Sequence, residues 1–184
     1  MVEGVAPETA LEERIMADPR WRAGVAWGEP RPGHPEGVVG IHVAQVLANL
    51  DRAGLEPETR RKLRLVAIVH DAFKIEVDRQ RPRTGDNHHA IRARRFAERY
   101  LDDADVLELI ELHDDAGNAW TAGSRRGDWA TAEARVADLL SRLGPRLDLY
   151  LAFYRADNAT GDKQDDRYRW FAALAARREQ EPPG

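Results

Sequence analysis

Apolar residues recur at intervals of three and four along this chain, and no segment sustains the alternation of β-branched residues that a half-buried strand requires. That pattern restricts the chain to an all-α, bundle-like fold. Thr9 and Glu12 have the spacing of a capping box and open a short helix with Leu11 and Ile15 on one side. Val39, Val43, Val46, Leu47 and Leu50 mark a helix from Val38 to Arg52, ended by Gly54. A longer helix is predicted from about Glu58 to Val77, with Leu63, Val66, His70, Phe73 and Val77 on one stripe. Further helices are expected over 88–101, 103–113, 130–143, 145–156 and 165–178, with Pro145 suited to a helix start. The stretches 19–35, 78–87 and 114–128 read as loops, and 179–184 as a disordered tail.

The length of 184 residues suits one domain. Its core is expected over about 34–160, preceded by an N-terminal helix and loop (1–33) and followed by a C-terminal helix and tail (161–184). Charged residues make up 33% of the chain, and no run approaches the roughly 20 apolar residues of a membrane helix. Residues 1–7 lack the basic-then-apolar pattern of a signal peptide, so a soluble cytoplasmic protein is expected. A net charge of -4 argues against general nucleic-acid binding. The chain has no cysteine, so any metal must be held by nitrogen and oxygen.

The histidines carry the chemistry. All six (His34, His42, His70, His88, His89 and His113) lie in one stretch of the chain. His70 shares a stripe with Leu63, Val66 and Phe73, and His113 follows Ile110 and Leu109 at helical spacing. His42 sits at the edge of the face made by Val39, Val43 and Val46. Asp157 follows Tyr150, Phe153 and Tyr154 at spacings of seven, four and three, and a bare carboxylate on a core-facing stripe needs a partner. One inward histidine is more often a hydrogen-bonded core residue than a ligand. Asp157 taken alone could equally cap a helix end or pair with Arg155 or Lys163. Three inward histidines and an aspartate on four helices, with Asp71 beside His70, have an economical common explanation in a shared cation such as Zn, Fe, Mn or Co.

These residues resemble the HD superfamily of metal-dependent phosphohydrolases, defined by a histidine, a His-Asp pair and a distant aspartate on helices. His42, His70-Asp71 and Asp157 match that order. LRLVAIVHDAFK is similar to the family's apolar helix ending in His-Asp, with Lys74 three residues later. HPEGVVGIHVAQVLANL is similar to the first-histidine helix of the HD domains attached to tRNA nucleotidyltransferases, with His34 ahead of the helix and His42 as ligand. FYRADN resembles the final-aspartate helix. HAIRARRFAERYL and ELIELHDD resemble the segments that supply extra histidines in dinuclear members, which adds His89 and His113. His88 is the alternative to His89, which better places Ala93 and Ala97.

The resemblance implies an HD-domain helical bundle binding one or two divalent ions (Mn, Fe, Co, Ni or Zn, or Mg). His42, His70, Asp71, His89, His113 and Asp157 would be the ligands, with Asp71 bridging if two ions bind. It implies hydrolysis of a phosphoester, a nucleotide or another small phosphorylated metabolite, by water activated at the metal. Asp71 and Lys74 would be catalytic, and Lys74 could hold phosphate or instead pair with Asp78. Arg81 and Arg83, in the loop after the His-Asp helix, could grip phosphate by bidentate contacts. Asn118, Trp120, Arg125 and Arg126 lie in the 114–128 segment, read as a lid or specificity loop. His34 is expected to orient its loop or bond a carboxylate behind the ligands. Two other outcomes stay open: a mixed-valent di-iron oxygenase that cleaves C–C or C–P bonds with O2, and a non-catalytic nucleotide-binding or regulatory module. Substrate, metal and oligomeric state are not written in these residues.

Overall fold

The computed structural model describes residues 4–30 and 35–180. Among the described residues ten α-helices run in the order α1 (Ala10–Ala17), α2 (Pro19–Val25), α3 (Val39–Arg52), α4 (Pro57–Val69), α5 (His89–Ala97), α6 (Ala104–Leu112), α7 (Asp115–Arg126), α8 (Trp129–Leu143), α9 (Leu147–Asn158) and α10 (Asp166–Gln180). No strand occurs among the described residues, so the fold is all-α. No helix among them is long and apolar enough to cross a membrane.

The centre of the fold is α4. Its last seven residues, Leu63 to Val69, are all buried, so this end is covered on every side rather than along one stripe. It packs against α3, α6 and α9, and more lightly against α5. Those are the elements from which the candidate ligands come.

The N-terminal segment is fastened to α4. Thr9 Oγ1 accepts from Glu12 N at 3.1 Å, as the capping spacing predicts. The Glu12 carboxylate accepts from Glu8 N at 2.6 Å and takes Arg64 Nε at 2.9 Å. Both partners of this ion pair are buried.

Five expectations about local structure need correction, one being the 88–101 helix, which ends at Ala97 with a turn over 98–100. Residues 19–25 form α2 rather than a loop; Asp18 caps it by accepting from Arg20 N at 2.8 Å, and Pro19 opens it. Trp21 Nε1 anchors it to Ile68 O at 2.8 Å. The predicted 58–77 helix stops at Val69; residues 70–73 turn, and a 3-10 turn spans Lys74–Glu76. The 114–128 segment is mostly helix: α7 buries Ala116, Ala119 and Ala122, and Gly123 lets the Trp129 ring lie against its backbone. Finally, α10 continues to Gln180, so 179 and 180 are helical. His34 and residues 181–184 lie outside the described residues.

Candidate metal centre

Each candidate ligand stands at or near a helix end. His42 is in the first turn of α3, and Asp157 is next to last in α9. His70 and Asp71 occupy the turn after α4, His89 begins α5, and His113 caps the C-terminus of α6. All but Asp157 are buried. The Asp157 side chain is 17% exposed.

Asp71 is the pivot. Its Oδ2 faces His42 Nε2 at 3.6 Å and His70 Nε2 at 3.5 Å. Its Oδ1 faces His113 Nε2 at 3.3 Å and His89 Nε2 at 3.5 Å. On the first side, His42 Nε2 is 3.3 Å from His70 Nε2 and 2.9 Å from Asp157 Oδ1. On the second, His89 Nε2 is 3.1 Å from His113 Nε2 and 3.1 Å from Asp114 Oδ2. The six residues therefore form two groups that share one carboxylate.

Hydrogen bonds behind the rings fix their inward face. His70 Nδ1 donates to Ala67 O at 2.9 Å, and His113 Nδ1 donates to Ile110 O at 2.7 Å. In a neutral ring this leaves Nε2 as a lone-pair acceptor pointing at the cluster. His42 Nδ1 lies 3.5 Å from Glu36 Oε1. His88 Nδ1 accepts from Ala90 N at 3.3 Å and so caps α5, while His89 Nε2 turns toward Asp71.

Burial pushes the His70 pKa down to about 3, which keeps the ring neutral. Burial also opposes the charge on Asp71, but Lys74 and the surrounding imidazoles hold its carboxyl well below the usual range. Asp157 is held low against burial by Lys163 and His42. At His113, burial pulls the pKa down, yet Asp114 and Asp71 outweigh it and lift the ring to about 9. A field that draws a proton onto His113 equally draws a metal cation.

The donor set fits such a cation. Asp71 Oδ1 is buried with no hydrogen bond among the described residues. The lone pair of neutral His70 faces carboxylate oxygens, and acceptors that face one another need a positive charge between them. His42, His70 and Asp71 place ligand atoms within 4.8 Å of one another, as do Asp71, His89 and His113. Neutral nitrogen with carboxylate oxygen, and no sulfur, suits divalent transition metals.

Lys74 Nζ lies 2.5 Å from Asp71 Oδ2, so its partner is Asp71 rather than Asp78. Arg83 and Asn118 line a cavity of about 510 Å³ that reaches His89 and Asp114. Arg81 and Arg125 are exposed and do not line it, whereas Arg126 does. Sequence reasoning passed over Asp114, although its place beside His113 repeats the His70-Asp71 pairing. It also left out Glu36, two residues beyond His34. Lys163, weighed only as a salt-bridge partner, bonds Asp157 Oδ1 at 3.2 Å.

An all-α domain with buried histidines and aspartates gathered from separate helix ends defines a metal-binding helical protein. A family model described as the HD domain matches residues 39–146, and the chain belongs to that family. The matched span includes His42, His70, Asp71, His89 and His113 and stops before Asp157. No curated protein and no solved structure matches the chain. Membership implies hydrolase-type chemistry dependent on divalent metal.

Proposed function

We propose that this protein hydrolyses a phosphoester of a small phosphorylated metabolite or nucleotide, using two divalent ions that share Asp71. The observation that carries this reading is the division of labour at Asp71, one oxygen toward His42 and His70 and the other toward His89 and His113. His42, His70, Asp71 and Asp157 would hold one ion, and Asp71, His89 and His113, with Asp114 beside them, the other. Bound there, such ions supply Lewis acidity toward phosphoryl oxygen and lower the pKa of water toward neutrality.

The chain's own groups support that chemistry. Lys74 keeps Asp71 ionised and sets a fixed positive charge beside the ligand cluster, where negative charge develops on a phosphoryl group. The carbonyls of Ala67 and Ile110 hold two imidazoles in one tautomer and orientation. Arg83 and Asn118 edge the larger cavity, which has room for a leaving group such as a nucleoside.

The test is a screen of nucleotides, cyclic nucleotides and generic phosphoesters with protein loaded with Mn, Mg, Co or Ni. Metal-dependent phosphate release that Asp71→Ala abolishes, with the helical circular-dichroism spectrum intact, supports the reading. Turnover that survives Asp71→Ala overturns it. So does protein that holds iron, gives a mixed-valent electron paramagnetic resonance signal and consumes O2 without releasing phosphate. Nucleotide binding with no turnover under any metal would replace the enzyme with a regulatory module.

A further inference from the structure

Against the ligand cluster lies a small void of about 60 Å³, bordered by Lys74, Gly117, Tyr154, Asp157, Lys163 and Arg167. It has room for a few waters or one tetrahedral oxyanion and none for a nucleoside, since pockets for whole ligands run to roughly 300 Å³ or more. The cavities of about 510 Å³ and about 430 Å³ nearby both touch Asp114, as this void does.

Its lining is built for a ligand. Tyr154 is 3% exposed, and its hydroxyl has no hydrogen-bond partner among the described residues. A buried hydroxyl without a partner is costly, so something in the void is expected to meet it. The ring cannot turn away easily, because it is stacked on Tyr150 and set edge-on to Phe171. Lys163 Nζ spends two of its three N–H groups on Asp157, at 3.0 Å and 3.2 Å, which leaves one. Arg167 has no ion-pair partner among the described residues. Lys74 adds a further cation. The facing carboxylates, Asp71, Asp114 and Asp157, would be taken up by the ions of the ligand cluster, so the cations left on the Lys163 and Arg167 side call for an anion.

We infer that Tyr154, Lys163 and Arg167 seat the terminal phosphoryl group of the substrate, and that the substrate is therefore a phosphomonoester. This rests on the phosphohydrolase reading above. A monoester presents three non-bridging oxygens at one end, which a small void with several donors can surround. A diester carries a second substituent that this volume excludes. The rest of the molecule would extend past Asp114 into the larger cavities.

The test combines calorimetric titration of Mn-loaded protein with inorganic phosphate and rates on p-nitrophenyl phosphate and bis(p-nitrophenyl) phosphate. Tyr154→Phe keeps the ring packing and removes only the hydroxyl; Arg167→Gln removes the charge and the guanidinium donors. Each should weaken phosphate binding by about tenfold or more with metal content and melting temperature unchanged. The monoester should be preferred over the diester by about 100-fold. Phosphate binding that is absent in the wild type, or unchanged from the wild type in both variants, shows a void that holds water only and overturns the seat. A diester cleaved as fast as the monoester also overturns it. Hydrolysis that persists beside unchanged phosphate affinity removes the seat and keeps the phosphohydrolase. Phosphate binding weakened in both variants, with no ester cleaved, keeps the seat and removes the phosphohydrolase.

Discussion

Lys74 and Asp71 form a close ion pair, Nζ to Oδ2 at 2.5 Å, inside a turn that also carries His70. The lysine adds charge beside a carboxylate whose other contacts are imidazoles. Lys74→Met should keep metal and fold and lower phosphoester turnover by about 100-fold, the scale of losing one preorganised electrostatic donor. Metal analysis alongside kcat/KM checks this; an unchanged rate would take Lys74 out of the reaction.

The shared carboxylate predicts an uneven loss of metal. Asp71→Ala should release both ions. His113→Ala should release only the ion on the His89 side, and His42→Ala only the other. Metal-to-protein ratios measured after dialysis distinguish the three, and equal losses in all of them would contradict two ions joined through Asp71.

The buried pair of Glu12 and Arg64 should dominate the stability of the N-terminal segment. Removing one partner strands the other charge, at a cost of about 3–5 kcal/mol. For a chain of this size, Glu12→Ala should lower the melting temperature by about 10 °C. The double change Glu12→Met with Arg64→Met should lose much less. Thermal scans of both variants give the comparison.

At Gly24, α2 passes so close to the turn of the His-Asp pair that an added Cβ would overlap Ala72 O. That oxygen is backbone and belongs to the residue after Asp71, so it cannot step aside alone. Gly24→Ala should therefore cost about 1–3 kcal/mol and also weaken metal binding, although it touches no ligand. Metal titration of the folded variant is the measurement; full affinity would show that the turn tolerates the shift.

Asp18 gives a pH dependence remote from the metal ligands. Burial opposes its charge, but Tyr100, the Arg20 amide and Arg99 outweigh burial and lower its pKa. A carboxyl with a depressed folded pKa stabilises the fold above its unfolded value of about 3.9 and loses that contribution as pH falls through the folded value. Asp18→Asn removes the charge that Tyr100 and Arg99 bond and should cost up to about 1 kcal/mol at pH 7, and less as the pH drops below about 4. Urea melts at the two pH values test the sign.

The helical class and the ligands were legible because both rest on periodicity. Leu63, Val66, His70 and Phe73 share a stripe, and that stripe stays in register even though the helix ends at Val69. Short or glycine-bearing helices were harder to read. The Asp18-Pro19 start of α2 is a good signal, yet the helix is only seven residues long. In α7, Gly117, Asn118 and Gly123 look like breakers. What holds them helical is the burial of Ala116, Ala119 and Ala122 and the approach of Trp129, which are tertiary effects. Asp114 and Tyr154 escaped notice as site residues because their importance lies in what faces them across space.

The ligands come from α3, the turn after α4, and the ends of α5, α6 and α9, so an ion held among them acts as a removable crosslink between distant parts of the chain. Stability then becomes a function of free metal: an ion at about a thousand times its dissociation constant adds roughly 4 kcal/mol. A cell short of that ion would hold a looser protein as well as a less active one, and its breakdown would report on metal supply.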